Sequence, residues 1–118
     1  MHYRETIVWE KAMLAVDELY KLAPQLPKEE TYGMRAQITR AMVSVAANVA
    51  EGWTRETSKD KAHFLAISQG SLAETETLLT ICERQGWFAP VETKSLRQLL
   101  DEVSRMLTTM RRNRRSNE

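Results

Sequence analysis

Residues that break or cross-link a chain are scarce in this sequence. Its 118 residues include four glycines, three prolines and one cysteine. Most of the glycines and prolines stand at the boundaries of apolar segments, which favours an all-helical fold. No apolar run approaches the roughly 18 residues that a bilayer-spanning helix needs. The N-terminal segment lacks the apolar core of a signal peptide. We therefore expect a cytoplasmic protein with no membrane-spanning segment.

Side chains that commonly carry catalysis or bind metals are also few. The chain has two histidines, His2 and His63, and no Glu-x-x-His pair of the kind that di-iron bundles use. It has no glycine-rich loop for phosphate. Cys82 has no histidine near it in sequence and lies in a helical pattern, which predicts a buried, inert thiol in a reducing compartment. The sequence predicts no enzymatic activity, no metal and no cofactor.

Positive charge is concentrated at the C-terminal end of the chain. The net charge is +1, but residues 111–118 contain four arginines and one glutamate, while the other 110 residues contain 13 basic and 15 acidic groups. We predict a bundle domain over residues 1–110 and a basic tail over residues 111–118. The candidate phosphate contacts are Arg111, Arg112, Arg114 and Arg115. The alternative is a solvated end whose arginines complement the dipole of the last helix.

Apolar periodicity predicts four helices. They cover residues 6–22, residues 30 or 32 to 51, residues 58–85, and a segment that begins near residue 92. In the first helix we expect the core-facing stripe to be Trp9, Met13, Val16 and Tyr20. In the fourth, the heptad seam is Leu96, Leu99, Val103, Met106 and Met110, widened by Leu100 and Leu107. Short connections between amphipathic helices predict an antiparallel up-and-down four-helix bundle.

Three glycines carry specific expectations. Gly52 and Gly86 follow apolar segments, as helix-ending glycines do. Gly70 lies inside the third helix, where glycine costs about 1 kcal/mol relative to alanine. A close crossing with the second helix would explain Gly70, and simple tolerance is the alternative.

A polar stripe runs along the second helix at spacings of three and four residues. Its members are Gln37, Arg40, Ser44, Asn48 and Glu51, and the third helix carries Ser68, Ser71 and Glu74 on one face. One interpretation is a structural network that fixes helix register, with Arg40 paired to Glu74 or Glu51. The other interpretation is a face that binds a partner.

Two segments together carry a family resemblance. The sequences RAMVSVAANVAEG and HFLAISQGSLAETETLL, followed by Gly86, resemble the 23S rRNA intervening-sequence family of small bacterial four-helix bundles. That family includes the accessory variability protein of diversity-generating retroelements. The resemblance covers residues 7–88. It implies a ring-like homopentamer without enzymatic activity that binds nucleic acid or a nucleoprotein, with a reverse transcriptase as one candidate partner.

The chain departs from the family pattern at two basic positions. It has Thr39-Arg40 where the family often has two consecutive basic residues, and His63 where the family often has arginine. Both changes lower the positive charge of the body, so the expected nucleic-acid contacts fall mainly on the tail. The rival hypothesis is a protein-interaction scaffold without nucleic-acid binding, which the near-neutral body and the broad apolar face of the fourth helix favour.

Overall fold

The computed structural model describes the backbone of residues 1–116 and the side chains of residues 1–113. Its four α-helices are α1 (Ile7–Leu22), α2 (Met34–Thr54), α3 (Ser58–Arg84) and α4 (Pro90–Ser116). Short 3-10 turns cover Tyr3–Glu5, Ala23–Gln25 and Lys28–Glu30. Residues 1–116 contain no strand, which confirms the predicted all-α fold. None of these helices combines the length and apolarity that crossing a bilayer requires.

Contacts between helices show that neighbours run antiparallel. Ser44 on α2 contacts Ser71 on α3, and farther along α2 Gly52 lies against Lys61 near the start of α3. On the other side of the bundle, Lys11 on α1 pairs with Glu102 on α4. Farther along α1, Glu18 accepts a hydrogen bond from Ser95, which lies earlier on α4. Each helix therefore packs against its two neighbours, as an up-and-down bundle requires.

Local signals mark both ends of α3 and the start of α4, and Gly86 stands at the predicted end of α3. Thr57 caps α3, because its hydroxyl oxygen accepts a hydrogen bond of 3.0 Å from the backbone N–H of Asp60. Gly86 follows the end of α3 with a φ of +79°, a left-handed conformation that glycine adopts without steric cost. α4 begins at Pro90, earlier than the predicted start near residue 92, and at the first helical position the missing N–H of proline loses no helical hydrogen bond.

Gly52 does not end α2 as predicted, and of the two explanations for Gly70 the structure supports simple tolerance and not a close crossing. α2 continues to Thr54, and Gly52 is buried where α2 crosses α3. A Cβ at this position would lie 3.3 Å from the carbonyl oxygen of Lys61 and 3.2 Å from the Cβ of Phe64. Gly70 is exposed, and a Cβ there would meet no heavy atom within 4 Å. The close approach of α2 and α3 therefore requires glycine at 52 and tolerates it at 70.

The prediction of which face of α1 points to the core is also wrong, because the observed buried stripe is rotated around the helix from the predicted one. The fully buried residues are Ala12, Ala15 and Leu19, with Val8 nearly so, whereas Tyr20 is 51% exposed. The other three members of the predicted stripe are only partly buried. Two small alanines on the inner face let α1 pack closely on the bundle, and this leaves the larger apolar residues on the adjacent face.

On α4 the core comprises Leu96, Leu100, Val103 and Leu107, each at most 1% exposed. Leu99, Met106 and Met110 of the predicted seam lie at its edge, partly buried. Cys82 is fully buried, as predicted, and desolvation raises the pKa of its thiol to about 11.

Candidate nucleic-acid interface

Small polar side chains occupy the contact between α2 and α3. The Oγ atoms of Ser44 and Ser71 lie 2.8 Å apart, and Asn48 Nδ2 donates to the Ser44 carbonyl oxygen at 2.9 Å. Ser68, which is fully buried, donates to the Val45 carbonyl oxygen at 2.7 Å. Satisfied polar groups of this size allow close helix packing and define its register. A further buried polar residue of α3, Thr75, was not predicted from the sequence. Thr75 donates to the Ser71 carbonyl one turn earlier, a spacing that the sequence displays.

The charged members of the predicted polar network lie outside this contact. Arg40, Glu51 and Glu74 are exposed. Among the described side chains, Glu51 pairs with Arg55, the residue that follows α2, and Arg40 forms no ion pair with Glu74 or Glu51. A long charged side chain at the edge of two closely packed helices stays in water, where it avoids the cost of desolvation.

Three segments of the chain meet at one end of the bundle, which we call the basic end: residues 1–10, 45–70 and 105–116. The chain start joins the end of α2, because Trp53 Nε1 donates to the Met1 carbonyl oxygen at 3.0 Å. The start of α3 joins them through Lys61, whose Nζ donates to the Trp53 carbonyl oxygen at 2.9 Å. The end of α4 packs beside α3, where Arg111 Nη1 donates to Gln69 Oε1 at 2.8 Å.

Charge differs between the two ends. Among residues with described side chains, the basic end has seven basic and five acidic residues, and the rest of the bundle has eight basic and ten acidic residues. The net charges are therefore +2 and −2. The basic residues of the basic end are Arg4, Arg55, Lys59, Lys61, Arg105, Arg111 and Arg112. Both histidines also lie there.

The structure brings two of the predicted phosphate contacts into this group. Arg111 is half-buried against α3, and it donates one of its five N–H groups to Gln69. Arg112 is exposed. The side chains of Arg114 and Arg115 lie outside the described residues. The backbone of α4 runs through position 110 to Ser116 without a break, so these arginines continue the last helix of the bundle.

The positions of the cations of α3 and of the chain start were not predictable from the sequence. Lys59 is exposed on the first turn of α3, Arg4 is exposed beside Tyr3, and Lys61 lies 6.0 Å above the Trp53 ring. These residues join Arg111 because α4 runs antiparallel to both α3 and α1. Trp53 lies among them, half-buried at the end of α2.

An apolar groove opens beside this group between the start of α1 and the end of α4. Its volume is about 600 Å³. The lining residues are Met1, Glu5, Thr6, Ile7, Val8, Trp53, Arg105, Met106, Thr109 and Met110. Among the described residues no cluster of three or more His, Cys, Asp or Glu side chains has the arrangement of a metal site.

The fold and its polar contact between α2 and α3 define a small all-α bundle with unlike charge at its two ends. The chain belongs to the 23S rRNA-intervening sequence protein family, which it matches over residues 4–109. This confirms the family resemblance. No curated protein sequence matches the chain.

A solved structure supports the fold. It is a protein of unknown function from the S23 ribosomal protein family of Bacteroides thetaiotaomicron, similar with a TM-score of 0.81 at 23% sequence identity. The match covers 89% of this chain and 98% of that chain.

Proposed function

We propose that this protein is a non-enzymatic, homo-oligomeric bundle of the bacterial cytoplasm that binds nucleic acid, alone or within a nucleoprotein, through the basic end. The observation that carries the proposal is the meeting of cations from three separate segments at that end. Lys59 and Arg112 lie on different helices and are both exposed. Cations spread over several elements can follow a phosphate backbone better than one linear cluster can.

Assembly would strengthen a weak single site. One chain offers roughly three or four phosphate contacts, which predicts a log–log salt slope of about −3. Several copies in a ring would bind multivalently and steepen that slope. The family resemblance supports a homopentamer. It also names a reverse transcriptase as a candidate partner, in which case the bundle would act as an accessory factor of a retroelement.

The test measures binding of a structured RNA and a duplex DNA across a salt titration. The double variant Lys59→Gln/Arg112→Gln removes two charges from the basic end. Its matched control, Arg84→Gln/Lys94→Gln, removes two exposed charges from the opposite end. We expect the first variant to flatten the slope by about two and the control to leave it unchanged.

Deletion of residues 111–118 tests the arginines of α4 separately and should also weaken binding. Equal slopes for both double variants, or no binding at low salt, would contradict the proposal. Determination of the oligomeric mass on the same sample tests the assembly.

A second candidate function, a protein-interaction scaffold without direct nucleic-acid binding, is favoured by an uncharged surface. We call this surface the α1–α2 apolar face; it comprises Trp9, Met13, Val16, Val43, Ala46 and Ala47. Residues 41–50 of α2 include no charged side chain, and Val43 is 42% exposed. Such a face suits a second copy of the chain or another protein. Co-purification separates the two functions: bound RNA supports the first, and a single acidic polypeptide supports the second.

A further inference from the structure

The groove at the basic end is lined mainly by apolar side chains, which phosphate binding alone does not require. Ile7 and Val8 line it from α1, Met106 and Met110 line it from α4, and Trp53 lines it from the end of α2. Ile7 is 63% exposed. An open apolar surface of this kind, placed beside cations, suits a ligand that is apolar on one part and anionic on another.

The first residues of the chain complete the groove. The hydrogen bond from Trp53 Nε1 to the Met1 carbonyl oxygen holds the chain start beside α2. Glu5 is the one carboxylate among the lining residues, and it already accepts a hydrogen bond of 3.1 Å from the backbone N–H of His2. The groove therefore has an indole and several aliphatic or thioether side chains as its main binding surface.

Positive charge lies along one side of the groove. Arg105 and Thr109 line it, and Arg112 follows on the same face of α4 one turn later. Arg105 pairs with Asp101 at 2.9 Å, but its side chain is 80% exposed, so that pair is weak and open to exchange. An anion that enters along α4 would meet Arg105 and Arg112 while its apolar part faces Trp53 and the methionines.

We propose that this groove binds unpaired nucleobases of a single-stranded nucleic acid while Arg105 and Arg112 contact the flanking phosphates. The inference rests on the nucleic-acid binding proposed above and adds the class of ligand. Every base presents a flat π-face that stacks on aromatic side chains regardless of sequence. A duplex hides those faces between stacked pairs. The groove walls are mainly apolar, so we expect preference for single strands with little sequence specificity.

The experiment compares four fluorescein-labelled 12-mers: oligothymidine, oligouridine, a DNA duplex and an abasic phosphodiester strand with the same number of phosphates. Fluorescence anisotropy gives the dissociation constants. We expect each single strand with bases to bind about tenfold more tightly than the abasic strand. Oligothymidine and oligouridine together test whether single-stranded DNA and RNA both bind, as the groove assignment expects.

Two variants assign the effect to the groove. Trp53→Ala and Ile7→Ser should lower the affinity for oligothymidine several-fold, toward that of the abasic strand, and leave abasic binding unchanged. Val91→Ser is the matched control, because Val91 is an exposed aliphatic residue at the start of α4, at the other end of the bundle. Circular dichroism checks the fold. If Trp53→Ala unfolds, the binding data for Ile7→Ser test the groove assignment, because the side chain of Ile7 is mostly exposed and its loss should not unfold the protein.

The outcomes separate this inference from the proposed function. Equal binding of abasic and base-containing strands, tighter binding of the duplex, or normal oligothymidine binding by Ile7→Ser would overturn the groove assignment and leave phosphate binding at the basic end intact. No binding of any of the four 12-mers would overturn both.

Discussion

Arg97 on α4 and Glu83 on α3 form an ion pair at the end of the bundle opposite the basic end. Arg97 Nε donates to Glu83 Oε2 at 3.2 Å, and Arg97 Nη2 also donates to the Thr80 hydroxyl at 3.0 Å. The hydroxyl of Thr93, which is fully buried, donates to the same carboxylate. The hydrogen bond from Arg97 lowers the pKa of Glu83, and burial of the carboxylate partly opposes this effect.

The Arg97–Glu83 ion pair predicts that the protein becomes less stable as the pH falls. Because the folded protein holds the pKa of Glu83 below its ordinary value of 4.5, the ionised pair stabilises the fold above that value. The contribution is lost as pH falls from there through the lower folded pKa. Glu83→Gln should cost about 1 to 2 kcal/mol at neutral pH and remove this part of the pH dependence. Urea unfolding between pH 7 and pH 3 measures both effects.

Glu74→Gln is the control for the charge itself. Glu74 lies on the same helix and is exposed, without an ion pair among the described residues. We expect it to change the free energy of unfolding by less than about 0.5 kcal/mol. An acid-unfolding curve of Glu83→Gln that parallels the unsubstituted protein would show that the pair contributes nothing.

Alanine at Gly70 and at Gly52 should have opposite effects. At Gly70 the new methyl group meets open space, so the gain in helix propensity should stabilise the protein by about 0.5 to 1 kcal/mol. At Gly52 it would press on the Lys61 carbonyl and Phe64, and overpacking against backbone should cost about 1 to 2 kcal/mol net. Thermal unfolding of the two variants and of the unsubstituted protein shows whether each substitution stabilises or destabilises the fold. A stabilising Gly52→Ala would mean that α2 and α3 separate without cost.

These glycines show which parts of the fold sequence alone could predict. Thr57 and Gly86 act through their own neighbours in the chain, so their roles as helix boundaries were readable. Gly52 and Gly70 depend on whether another helix lies against them. A glycine that ends a helix and a glycine at a close helix crossing can follow the same apolar pattern in the sequence. Only the packing of α2 on α3 shows which of the two a given glycine is.

The rotation of α1 has a similar cause. Two apolar stripes lie side by side on this helix, and helical periodicity finds both without showing which one faces the core. The stripe with larger residues, Trp9 to Tyr20, was the reasonable choice for burial. The bundle instead buries the stripe with Ala12 and Ala15, because helices pack more closely on small residues. The same limit applies to the basic end, whose C-terminal arginines were visible in sequence while Lys59 and Lys61 needed the antiparallel topology.

Cys82 should resist thiol reagents while the protein is folded. Burial raises its pKa to about 11, two units above the ordinary value of 9.0, so its thiolate fraction at pH 8 falls about a hundredfold. The raised pKa stabilises the fold below pH 9, and this contribution is lost between pH 9 and 11. Reaction with a chromogenic disulfide at pH 8 should be slow in buffer and release one equivalent in urea.

A cysteine at an exposed position of the same helix provides the comparison. Thr77→Cys in a Cys82→Ala background should react at once without urea, because residue 77 faces solvent. Rapid labelling of folded Cys82 at pH 8 would show that α3 opens far more often than its packing implies.

Val43→Glu should separate assembly from folding. Val43 is 42% exposed in the single chain and lies at the centre of the α1–α2 apolar face, so a carboxylate there stays hydrated in the monomer. In an interface between copies it would be buried without a partner, which costs several kcal/mol. We expect a folded species of about 13.6 kDa by light scattering where the unsubstituted protein gives a larger mass.

The choice of position decides what this experiment means. Val103→Glu, in the predicted seam of α4, would place the carboxylate at a fully buried site and unfold the bundle whether or not copies assemble. Ile81→Glu is the matched control, since Ile81 is 38% exposed but lies on α3, away from the α1–α2 apolar face. If Val43→Glu keeps the full oligomeric mass and Ile81→Glu loses it, the interface lies on α3. If both keep it, assembly uses neither surface, and the α1–α2 apolar face is left for a different protein.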